Sequence, residues 1–354
     1  MTPDQGEAKP KVLLLGVIEH AHSSWAAVSE MATIITPRST DRASFLDEAR
    51  SGAFDGCVAA YRTFDSFEVT GKVDGELLDA FRGHPCPLRF ICHNGAGYDQ
   101  VDVAACTARG IRVSNTPTAV DDATADLAIF LMLGTLRNLG VGMAALRRGE
   151  WRGGSGGGGG EQAGPPALGH DPQGKVLGIL GMGGIGRNMA RKAALAFGMK
   201  IRYHNRTRLD PGVEAELGGA EYVDLDRLLA ESDVLSLNLP LNPNTRHTIS
   251  QAEFAKMKKG IVLVNTARGA IIDEAALVEA LDSGHVSSAG LDVYEQEPYI
   301  HPGLLSNPRT LLVPHMGTWT IETEMKMEEW AISNVRMAIE KGRLRSIVPE
   351  QRDM

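Results

Sequence analysis

Side chains able to pair charges or transfer protons follow three predicted strands in the second half of the sequence. They are Arg268, the carboxylates Asp292, Glu295 and Glu297, and His315. Because ligands of open α/β sheets bind at the carboxyl ends of the strands, we expect these side chains to lie close together. An arginine can hold a carboxylate through two parallel hydrogen bonds, and a histidine can deliver a proton near neutral pH. The combination is suited to hydride transfer.

A glycine-rich turn lies between an apolar strand and a helical pattern. The turn GMGGIG, residues 181–186, follows the strand 176–180. Gly181 permits a tight turn, Gly183 lets a pyrophosphate approach the backbone, and Gly186 permits close helix packing. The free N–H groups and the positive dipole end of the next helix would receive the phosphates. The context predicts a dinucleotide-binding unit.

The end of the following strand indicates which nicotinamide cofactor is bound. An acid there, roughly 20 residues past the glycines, would accept hydrogen bonds from the adenosine ribose of NAD(H). The sequence instead has Asn205, followed by Arg206, Thr207 and Arg208. Guanidinium groups can hold a 2′-phosphate, so we predict NADP(H) in preference to NAD(H). If both arginines are solvated surface charges, NAD(H) is the alternative.

The composition excludes several classes of protein. The 354 residues carry 36 Lys and Arg against 44 Asp and Glu, a formal net charge of −8. A general nucleic-acid-binding surface is therefore not expected. The apolar stretches are shorter than the roughly 20 residues that span a bilayer, so we expect no membrane passage. At roughly 100–200 residues per domain, the length predicts two domains.

The cysteine and histidine spacing gives no metal-site signature. The sequence has four cysteines without a CxxC pair, Cys57, Cys86, Cys92 and Cys106. Buried reduced thiols are expected, rather than a zinc site or a disulfide scaffold. His20 and His22 have no third ligand near them in sequence, so no metal is predicted. Residues 1–11 lack a cleavable leader pattern, and together these features predict a cytoplasmic protein.

Short apolar runs alternate with helical patterns along the chain. The predicted strands are 11–17, 33–36, 56–60, 88–92, 112–114, 176–180, 200–203, 234–237, 261–265, 288–291 and 311–313. Such alternation predicts parallel sheets covered by helices on both faces. The strands fall into two groups, separated by one predicted helix over 121–148 and a glycine-rich surface loop over 153–160. The helix is apolar around most of its circumference, so we expect it to be buried between domains or subunits.

On these motifs the sequence resembles the D-isomer-specific 2-hydroxyacid dehydrogenases, in particular glyoxylate/hydroxypyruvate reductases and fungal D-mandelate dehydrogenase-like members. The resemblance runs from about Asn94 to Gly317 and more loosely over the whole chain. The motifs that carry it are LGMGGIG at 180–186, NTARG at 265–269, GLDV at 290–293 with EP at 297–298, and PHMG at 314–317.

The resemblance implies a fold and a reaction. The fold would be α/β with two doubly wound parallel-sheet domains and the active site between them. A flavodoxin-like substrate domain would comprise residues 1–118 and 318–354, and a Rossmann-type nucleotide domain would comprise residues 119–317. The reaction would be NADPH-dependent reduction of a small 2-oxo acid, of the glyoxylate or hydroxypyruvate type, to the D-2-hydroxy acid. The 121–148 helix would form a homodimer.

The resemblance also implies roles for the residues at the strand ends. Arg268 would hold the 2-oxo acid through its carboxylate and carbonyl, and His315 would donate the proton. Glu297 would hydrogen-bond the imidazole, with Glu295 as the rival acid. Asp292 would face the nicotinamide carboxamide.

A loop in the first half matches the family's substrate loop. It comprises Asn94, Gly95, Ala96 and Gly97, and the N–H groups of Ala96 and Gly97 would bind the substrate carboxylate. A plain strand-to-helix turn is the alternative. The nearby pair Tyr61-Arg62 could reach the substrate from the small domain, but it is interpreted as surface residues.

Further cofactor contacts implied by the resemblance are spread over the predicted nucleotide domain. They are Thr124, Gly184, Ile185, Leu239, Pro240, Thr245, Thr266, Ala267 and Gly317, with Arg268 and His315 beside the nicotinamide. Leu239 and Pro240 would flank the adenine ring, with plain packing as the alternative. Trp319 departs from the smaller residues usual in the family, which bears on the shape of the substrate pocket.

Three other functions are weighed against this one. The first is an NAD-dependent D-mandelate-type dehydrogenase acting on larger 2-oxo acids. The second is a dinucleotide-sensing corepressor-like scaffold, which no basic tail or peptide-docking feature favours. The third is a formate-dehydrogenase-like enzyme, which would have Gln before the catalytic histidine, where this sequence has Pro314.

Overall fold

The chain forms two compact units. The computed structural model describes residues 9–82, 87–149 and 167–353. The first unit runs up to Val120 and resumes at Trp319, and the second unit spans Asp121–Thr318. The predicted glycine-rich loop at 153–160 lies outside the described residues, as does Cys86.

Strands and helices alternate through both units. The strands are β1 (Lys11–Leu15), β2 (Thr33–Ile35), β3 (Cys57–Thr63), β4 (Phe90–Asn94), β5 (Arg112–Ser114), β6 (Val176–Leu180), β7 (Lys200–His204), β8 (Glu221–Tyr222), β9 (Val234–Leu237), β10 (Ile261–Asn265), β11 (Val286–Leu291) and β12 (Thr310–Leu312). The helices are α1 (His22–Met31), α2 (Arg42–Ser51), α3 (Phe67–Thr70), α4 (Gly75–Ala80), α5 (Val103–Thr107), α6 (Asp121–Leu136), α7 (Leu139–Arg147), α8 (Gly184–Phe197), α9 (Pro211–Glu216), α10 (Leu225–Glu231), α11 (Gln251–Lys256), α12 (Glu274–Asp282), α13 (Pro302–Ser306) and α14 (Ile321–Lys341).

The first unit is built on a five-stranded parallel sheet. Its strand order is β2-β1-β3-β4-β5, the order of flavodoxin-like folds. Successive residues alternate between the two faces, so Leu13 and Ile91 belong to one apolar cluster and Val12 and Cys92 to another. Helix α14 packs on the second face, where Val335 is fully buried. The carboxyl ends of β3 and β4 meet at one edge of this sheet.

The second unit is built on a seven-stranded parallel sheet. Its order, β12-β11-β10-β9-β6-β7-β8, reverses direction between β6 and β9, as in a Rossmann-type fold. Every residue of β9 and β10 is buried, because helices cover both faces. The prediction of two doubly wound parallel-sheet α/β domains is confirmed.

The predicted 121–148 helix is wrong as a single element. Helix α6 ends at Leu136, and α7 begins at Leu139 with its axis turned by 71°. Asn138 between them has a left-handed backbone (φ 51°), which an α-helix cannot accommodate, and its Nδ2 donates to the carbonyl of Ala167 at 2.9 Å. Among the described residues no unbroken helix has the length and apolarity to cross a membrane; the bent pair α6–α7 meets that test by length and composition alone.

Some predicted strand bounds also need correction. Strand β3 continues to Thr63 instead of ending at residue 60, because Tyr61 and Arg62 pair with β4. Strand β4 begins and ends two residues later than the predicted strand 88–92, because it pairs with β3 as far as Thr63. Strand β8 was not predicted, because its two residues pair only with β7 and are too few to give a pattern.

Candidate active site

The glycine-rich turn joins β6 to α8. Gly181 has φ 98°, and a Cβ there would lie 2.7 Å from the carbonyl oxygen of Asn238, so only glycine fits. Gly183 caps α8, and a Cβ added to it would have no described atom within 4 Å, which leaves open space above the turn. The first intrahelical bond is from the N–H of Arg187 to the carbonyl of Gly183, so the preceding N–H groups of α8 point out of the helix. This geometry can cradle a phosphate.

Asn205 is tied to that turn. Its Oδ1 accepts a hydrogen bond from the N–H of Met182 at 2.7 Å, and the hydroxyl of Tyr222 donates to its carbonyl at 3.1 Å. The Asn205 side chain therefore orders the glycine-rich turn from the end of β7.

The two arginines after Asn205 differ in their surroundings. Arg208 forms two hydrogen bonds with Glu214, at 2.9 and 2.8 Å, and this pairing, with the Tyr203 hydroxyl, lowers the pKa of Glu214 to about 2. Arg206 is exposed and makes no hydrogen bond or ion pair with any described residue. Thr207 is also exposed. Of the two predicted phosphate ligands, Arg206 is the one that is not already engaged.

The turn after β10 is held by its own asparagine. Asn265 Nδ2 donates to the carbonyl of Arg268 at 2.9 Å, and Asn265 Oδ1 accepts from the N–H of Ala267 at 3.0 Å. A Cβ on Gly269 would lie 1.8 Å from the backbone of Tyr294, so glycine lets this turn pack directly on the chain that leads to Glu297. Arg268 is half-buried in this turn.

His315 and Glu297 are in direct contact. The Nδ1 of His315 lies 2.7 Å from Oε2 of Glu297, and Oε1 of Glu297 accepts from the N–H of Tyr294 at 2.9 Å. Burial alone would raise the pKa of Glu297, but the hydrogen bond and charge of His315 outweigh it, with help from Arg268. The pKa of Glu297 therefore lies below its ordinary value, and its carboxylate is charged beside the imidazole.

Glu295, the rival acid, faces elsewhere. Its Oε1 accepts from Arg246 at 2.5 Å and lies 2.7 Å from Nε2 of His247. Its N–H donates to Glu274 at 2.7 Å. The carboxylate on the imidazole of His315 is therefore Glu297.

Asp292 supports the turn that carries His315. Its Oδ1 accepts from the N–H of Met316 at 2.6 Å, its Oδ2 accepts from the N–H of Gly317 at 2.9 Å, and its carbonyl accepts from the N–H of His315 at 2.8 Å. Burial raises the pKa of Asp292 to about 6. This supporting role was not predicted, because only the folded chain brings residue 292 beside residues 316 and 317.

The other predicted cofactor contacts fall into two places in the second unit. Thr124 is buried beside Gly317. Leu239, Pro240 and Thr245 share the loop after β9, which the Thr245 hydroxyl closes by donating to the carbonyl of Pro240 at 2.6 Å. Leu239 is partly buried on the apolar core, whereas Pro240 is exposed.

Buried polar atoms without partners lie at the strand ends of the second unit. Thr266 Oγ1 and Asn238 Oδ1 are buried and have no hydrogen-bond partner among the described residues. With the open phosphate cradle at Gly183 and the exposed Arg206, they give a donor and acceptor set that fits a nicotinamide dinucleotide. The described residues contain no group of three or more His, Cys, Asp or Glu side chains that could hold a metal ion.

The predicted substrate loop belongs to the first unit. Its carbonyl groups are bonded within that unit: Gly95 accepts from the N–H of Thr116 at 2.9 Å, Ala96 from Nδ2 of Asn115 at 2.8 Å, and Gly97 lies 2.9 Å from Nε2 of His93. The N–H groups of Ala96 and Gly97 have no acceptor among the described residues. Asn94 is buried, and its Oδ1 has no hydrogen-bond partner within the described part of the chain. Such a loop can receive an anion.

The interpretation of Tyr61 and Arg62 as surface residues is wrong. Both are 0% exposed, because β3 runs on through Thr63 and carries them into the sheet. The pattern CVAAYRT gave a signal, since Tyr61 and Arg62 continue an otherwise buried strand.

Comparison with known proteins identifies relatives along the whole chain. The family model for the D-isomer specific 2-hydroxyacid dehydrogenase NAD binding domain matches residues 129–317. The 4-methyl-2-oxopentanoate reductase A of Aspergillus oryzae is 53% identical over 98% of this chain and 99% of its own. Glyoxylate reductase 1 of Saccharomyces cerevisiae is 44% identical over 97% of this chain and 95% of its own.

Solved structures similar to this chain also include 2-oxo acid reductases and a 2-hydroxyacid dehydrogenase. A glyoxylate reductase from Paecilomyes thermophila has a TM-score of 0.89 at 53% identity, covering 98% of this chain and 99% of its own. The holo D-mandelate dehydrogenase of Rhodotorula graminis has a TM-score of 0.88 at 31% identity, covering 97% and 98%. An NADPH-dependent glyoxylate/hydroxypyruvate reductase from Sinorhizobium meliloti, in complex with NADP and malonate, has a TM-score of 0.81 at 30% identity, covering 97% and 98%.

Proposed function

We propose that this chain, which belongs to the D-isomer specific 2-hydroxyacid dehydrogenase family of oxidoreductases, reduces a small 2-oxo acid to the D-2-hydroxy acid with NADPH. The observation that carries the proposal is the 2.7 Å contact between His315 and Glu297, on the same strand edge as Arg268. A proton donor, its supporting acid and a permanent cation are the groups that reduction of a 2-oxo acid needs.

In the proposed mechanism the nicotinamide, when bound, supplies the hydride to C2 of the 2-oxo acid. Arg268 holds the substrate carboxylate and carbonyl through its planar guanidinium. The Nδ1 of His315 is engaged by Glu297, so Nε2 is the nitrogen that delivers a proton to the carbonyl oxygen. Glu297 keeps the ring oriented and stabilises the imidazolium before transfer. Asp292 fixes the turn on which the ring stands.

The proposed preference for NADPH rests on the end of β7. Asn205 carries no charge to repel a 2′-phosphate, and the exposed Arg206 is available to bind one. The relative from Sinorhizobium meliloti holds NADP in its structure. NAD(H) is the alternative cofactor.

The proposed substrates are glyoxylate and hydroxypyruvate. Two of the relatives described above are named glyoxylate reductases, and a third is named for both substrates. The relative named for 4-methyl-2-oxopentanoate and the one named for D-mandelate favour a second candidate, a dehydrogenase for larger 2-oxo acids. Trp319, 62% exposed just after the histidine turn, is a residue whose size bears on this choice.

We further propose a homodimer that acts on small molecules in the cytoplasm, and on neither nucleic acid nor membranes. Helices α6 and α7 expose large apolar side chains, Phe130, Leu139, Met143 and Leu146, which a second copy would cover. Cys57 and Cys92 are free buried thiols, as in a reducing compartment. The net charge of −8 does not suit a phosphate backbone.

Steady-state assays with NADPH or NADH over glyoxylate, hydroxypyruvate, 4-methyl-2-oxopentanoate and benzoylformate test the proposal. We expect fastest turnover with NADPH and the two smallest acids. Arg268→Ala should remove most activity, whereas His315→Ala should abolish turnover and leave cofactor affinity unchanged. If neither substitution slows turnover, the assignment is wrong; if NADH and benzoylformate are preferred, the second candidate holds.

A further inference from the structure

A buried chain of hydrogen bonds links β3 to the substrate loop in the first unit. Arg62 Nη1 lies 3.1 Å from Nδ1 of His93, and Nε2 of His93 lies 2.9 Å from the carbonyl oxygen of Gly97. Arg62 and His93 occupy paired positions on β3 and β4, so both side chains leave the same face of the sheet. Arg62 is 0% exposed and His93 is 1% exposed.

The arginine fixes the protonation of the histidine. A guanidinium has donors only, so Nδ1 of His93 accepts and carries no proton. The ring proton is therefore on Nε2, which donates to the carbonyl of Gly97. A neutral His93 with this one tautomer is the form that satisfies both contacts.

Three consecutive backbone carbonyls of the substrate loop, at the end of this chain of hydrogen bonds, are held by contacts within the first unit. The carbonyls of Gly95, Ala96 and Gly97 point to Thr116, Asn115 and His93, respectively. The N–H groups of Ala96 and Gly97 are consequently turned the other way. A carbonyl shares its peptide plane with the N–H of the next residue, so the contacts of Gly95 and Ala96 orient the N–H groups of Ala96 and Gly97. His93 holds the peptide that follows Gly97 and so limits rotation about Gly97 at the end of the loop.

The charge on Arg62 is costly for stability. Its partners are the neutral His93 and the amide oxygen of Gln100, at 2.7 Å, and its Nε is buried without a partner among the described residues. Burial lowers the pKa of Arg62 to about 10, against the opposing charge of Asp99, so the group stays charged at neutral pH. An apolar residue of similar volume at this position would avoid the cost of burying a cation. A role beyond packing would explain its presence.

We propose that Arg62 and His93 are positioning residues that fix the end of the loop at Gly97 and thereby keep the N–H groups of Ala96 and Gly97 in place for the carboxylate of the 2-oxo acid. They act on substrate affinity, and not on the hydride transfer to C2 or on proton donation by His315. This inference rests on the proposed function, since it takes the loop as the carboxylate site. It adds to that function two residues that set how tightly the carboxylate is held.

Two substitutions at His93 distinguish its hydrogen bond with Arg62 from its hydrogen bond with the carbonyl of Gly97. His93→Asn keeps an acceptor near the position of Nδ1 for Arg62 but is too short to reach Gly97. His93→Gln retains a donor at the reach of Nε2. The loss of one positioning hydrogen bond is worth about 1 kcal/mol, so we expect His93→Asn to raise KM for glyoxylate about five- to tenfold with kcat changed less than about twofold. His93→Gln should restore KM to within about twofold of the parent.

A second pair tests the arginine. Arg62→Lys can still donate to Nδ1 of His93, whereas Arg62→Met cannot, so the methionine variant should show the larger KM. The matched control is His285→Asn. Nε2 of His285 also lies against a backbone carbonyl, that of Met257, at 3.1 Å. His285 lies away from the carboxyl edges of the two sheets, where the proposed substrate and cofactor groups are. That control should leave KM unchanged. Thermal unfolding of each variant identifies any that fail to fold, and calorimetric binding of malonate gives a readout that needs no turnover.

The outcomes distinguish the two proposals. If the parent enzyme reduces 2-oxo acids but His93→Asn, His93→Gln and the parent share one KM and one malonate affinity, the positioning role is wrong and the proposed function stands. If the parent reduces no 2-oxo acid and malonate does not bind, the proposed function is wrong and the inference falls with it. A loss of kcat at unchanged KM in His93→Asn would also overturn the positioning role.

Discussion

His315 has a backbone conformation that non-glycine residues rarely adopt. Its φ is 49°, in the left-handed region, where a side chain costs on the order of 1 kcal/mol. Three hydrogen bonds to Asp292, from the N–H groups of His315, Met316 and Gly317, hold the turn in that conformation. The imidazole is thus aimed by a buried carboxylate that need not touch the substrate.

Replacing Asp292 should therefore loosen the histidine. In Asp292→Asn only one side-chain atom can accept, so the N–H of either Met316 or Gly317 loses its partner. We expect kcat to fall about tenfold or more, because small displacements of a reacting group are expensive. Steady-state kinetics and unfolding curves measure both effects. Unchanged kcat in a variant that folds as stably as the parent would show that the turn at His315 keeps its conformation without the Asp292 carboxylate.

Substitutions of the two arginines after β7 should affect NADPH binding differently. Arg206→Ala removes the free guanidinium, so the KM for NADPH should rise about ten- to hundredfold while the KM for NADH stays constant. Arg208→Ala, the matched control, removes a side chain already held by Glu214 and should have a smaller effect on either cofactor. An equal effect of both substitutions on both cofactors would contradict the assignment of Arg206 to the 2′-phosphate.

At the scale of elements, the first turn of α6 lies against the first turn of α8. A Cβ on Gly184 would lie 2.0 Å from Oδ2 of Asp121, so this carboxylate sits beside the proposed phosphate cradle. Burial, with a smaller contribution from the charge of Asp122, raises the pKa of Asp121 to about 6. A bound phosphate would favour the protonated form still more.

Cofactor affinity should therefore depend on pH. Well below pH 6 Asp121 is already neutral in the free protein, so its contribution to the affinity should be flat. Above that value binding must take up a proton, so the dissociation constant should rise with pH, severalfold by pH 8. Calorimetry in buffers of different ionisation enthalpy measures the proton directly.

Substituted proteins check the assignment to Asp121. Asp121→Asn should remove the pH dependence and tighten binding at pH 8. The control is Asp126→Asn, since Asp126 lies on the same helix as Asp121 and is an exposed partner of Lys192. This variant should retain the pH dependence. Proton uptake that persists in Asp121→Asn would assign the linkage to another group.

The elements were predictable from sequence where burial alone decides them. Strands β9 and β10 are apolar at nearly every position, because both faces are covered, and their predicted bounds agree with the structure. The break after Leu136 was not predictable, since it depends on the left-handed conformation of one asparagine. Likewise, the NTARG and PHMG motifs indicated Arg268 and His315, whereas the contacts of Asp292, Arg62 and His93 join residues far apart in sequence.

At the scale of the whole molecule, the exposed apolar face on α6 and α7 predicts self-association. Phe130 and Met143 are each 47% exposed. The parent should sediment as a dimer, and the double variant Phe130→Glu with Met143→Glu should shift to monomer, because burying two carboxylates is costly. Leu195→Glu, on α8 and 74% exposed, is the control and should remain dimeric. A monomeric parent at micromolar concentration would contradict the proposed interface.

The most direct test of the central claim is the rate of NADPH oxidation with glyoxylate by the parent and by His315→Ala, with His285→Ala as a matched control. We expect the parent and the control to reduce glyoxylate to its 2-hydroxy acid at similar rates. We expect a loss of at least about a hundredfold in His315→Ala, whose NADPH affinity should equal that of the parent. Turnover in His315→Ala at the parent rate, or no oxidation by the parent with any 2-oxo acid, would contradict the assignment of His315 as the proton donor of a 2-oxo acid reductase.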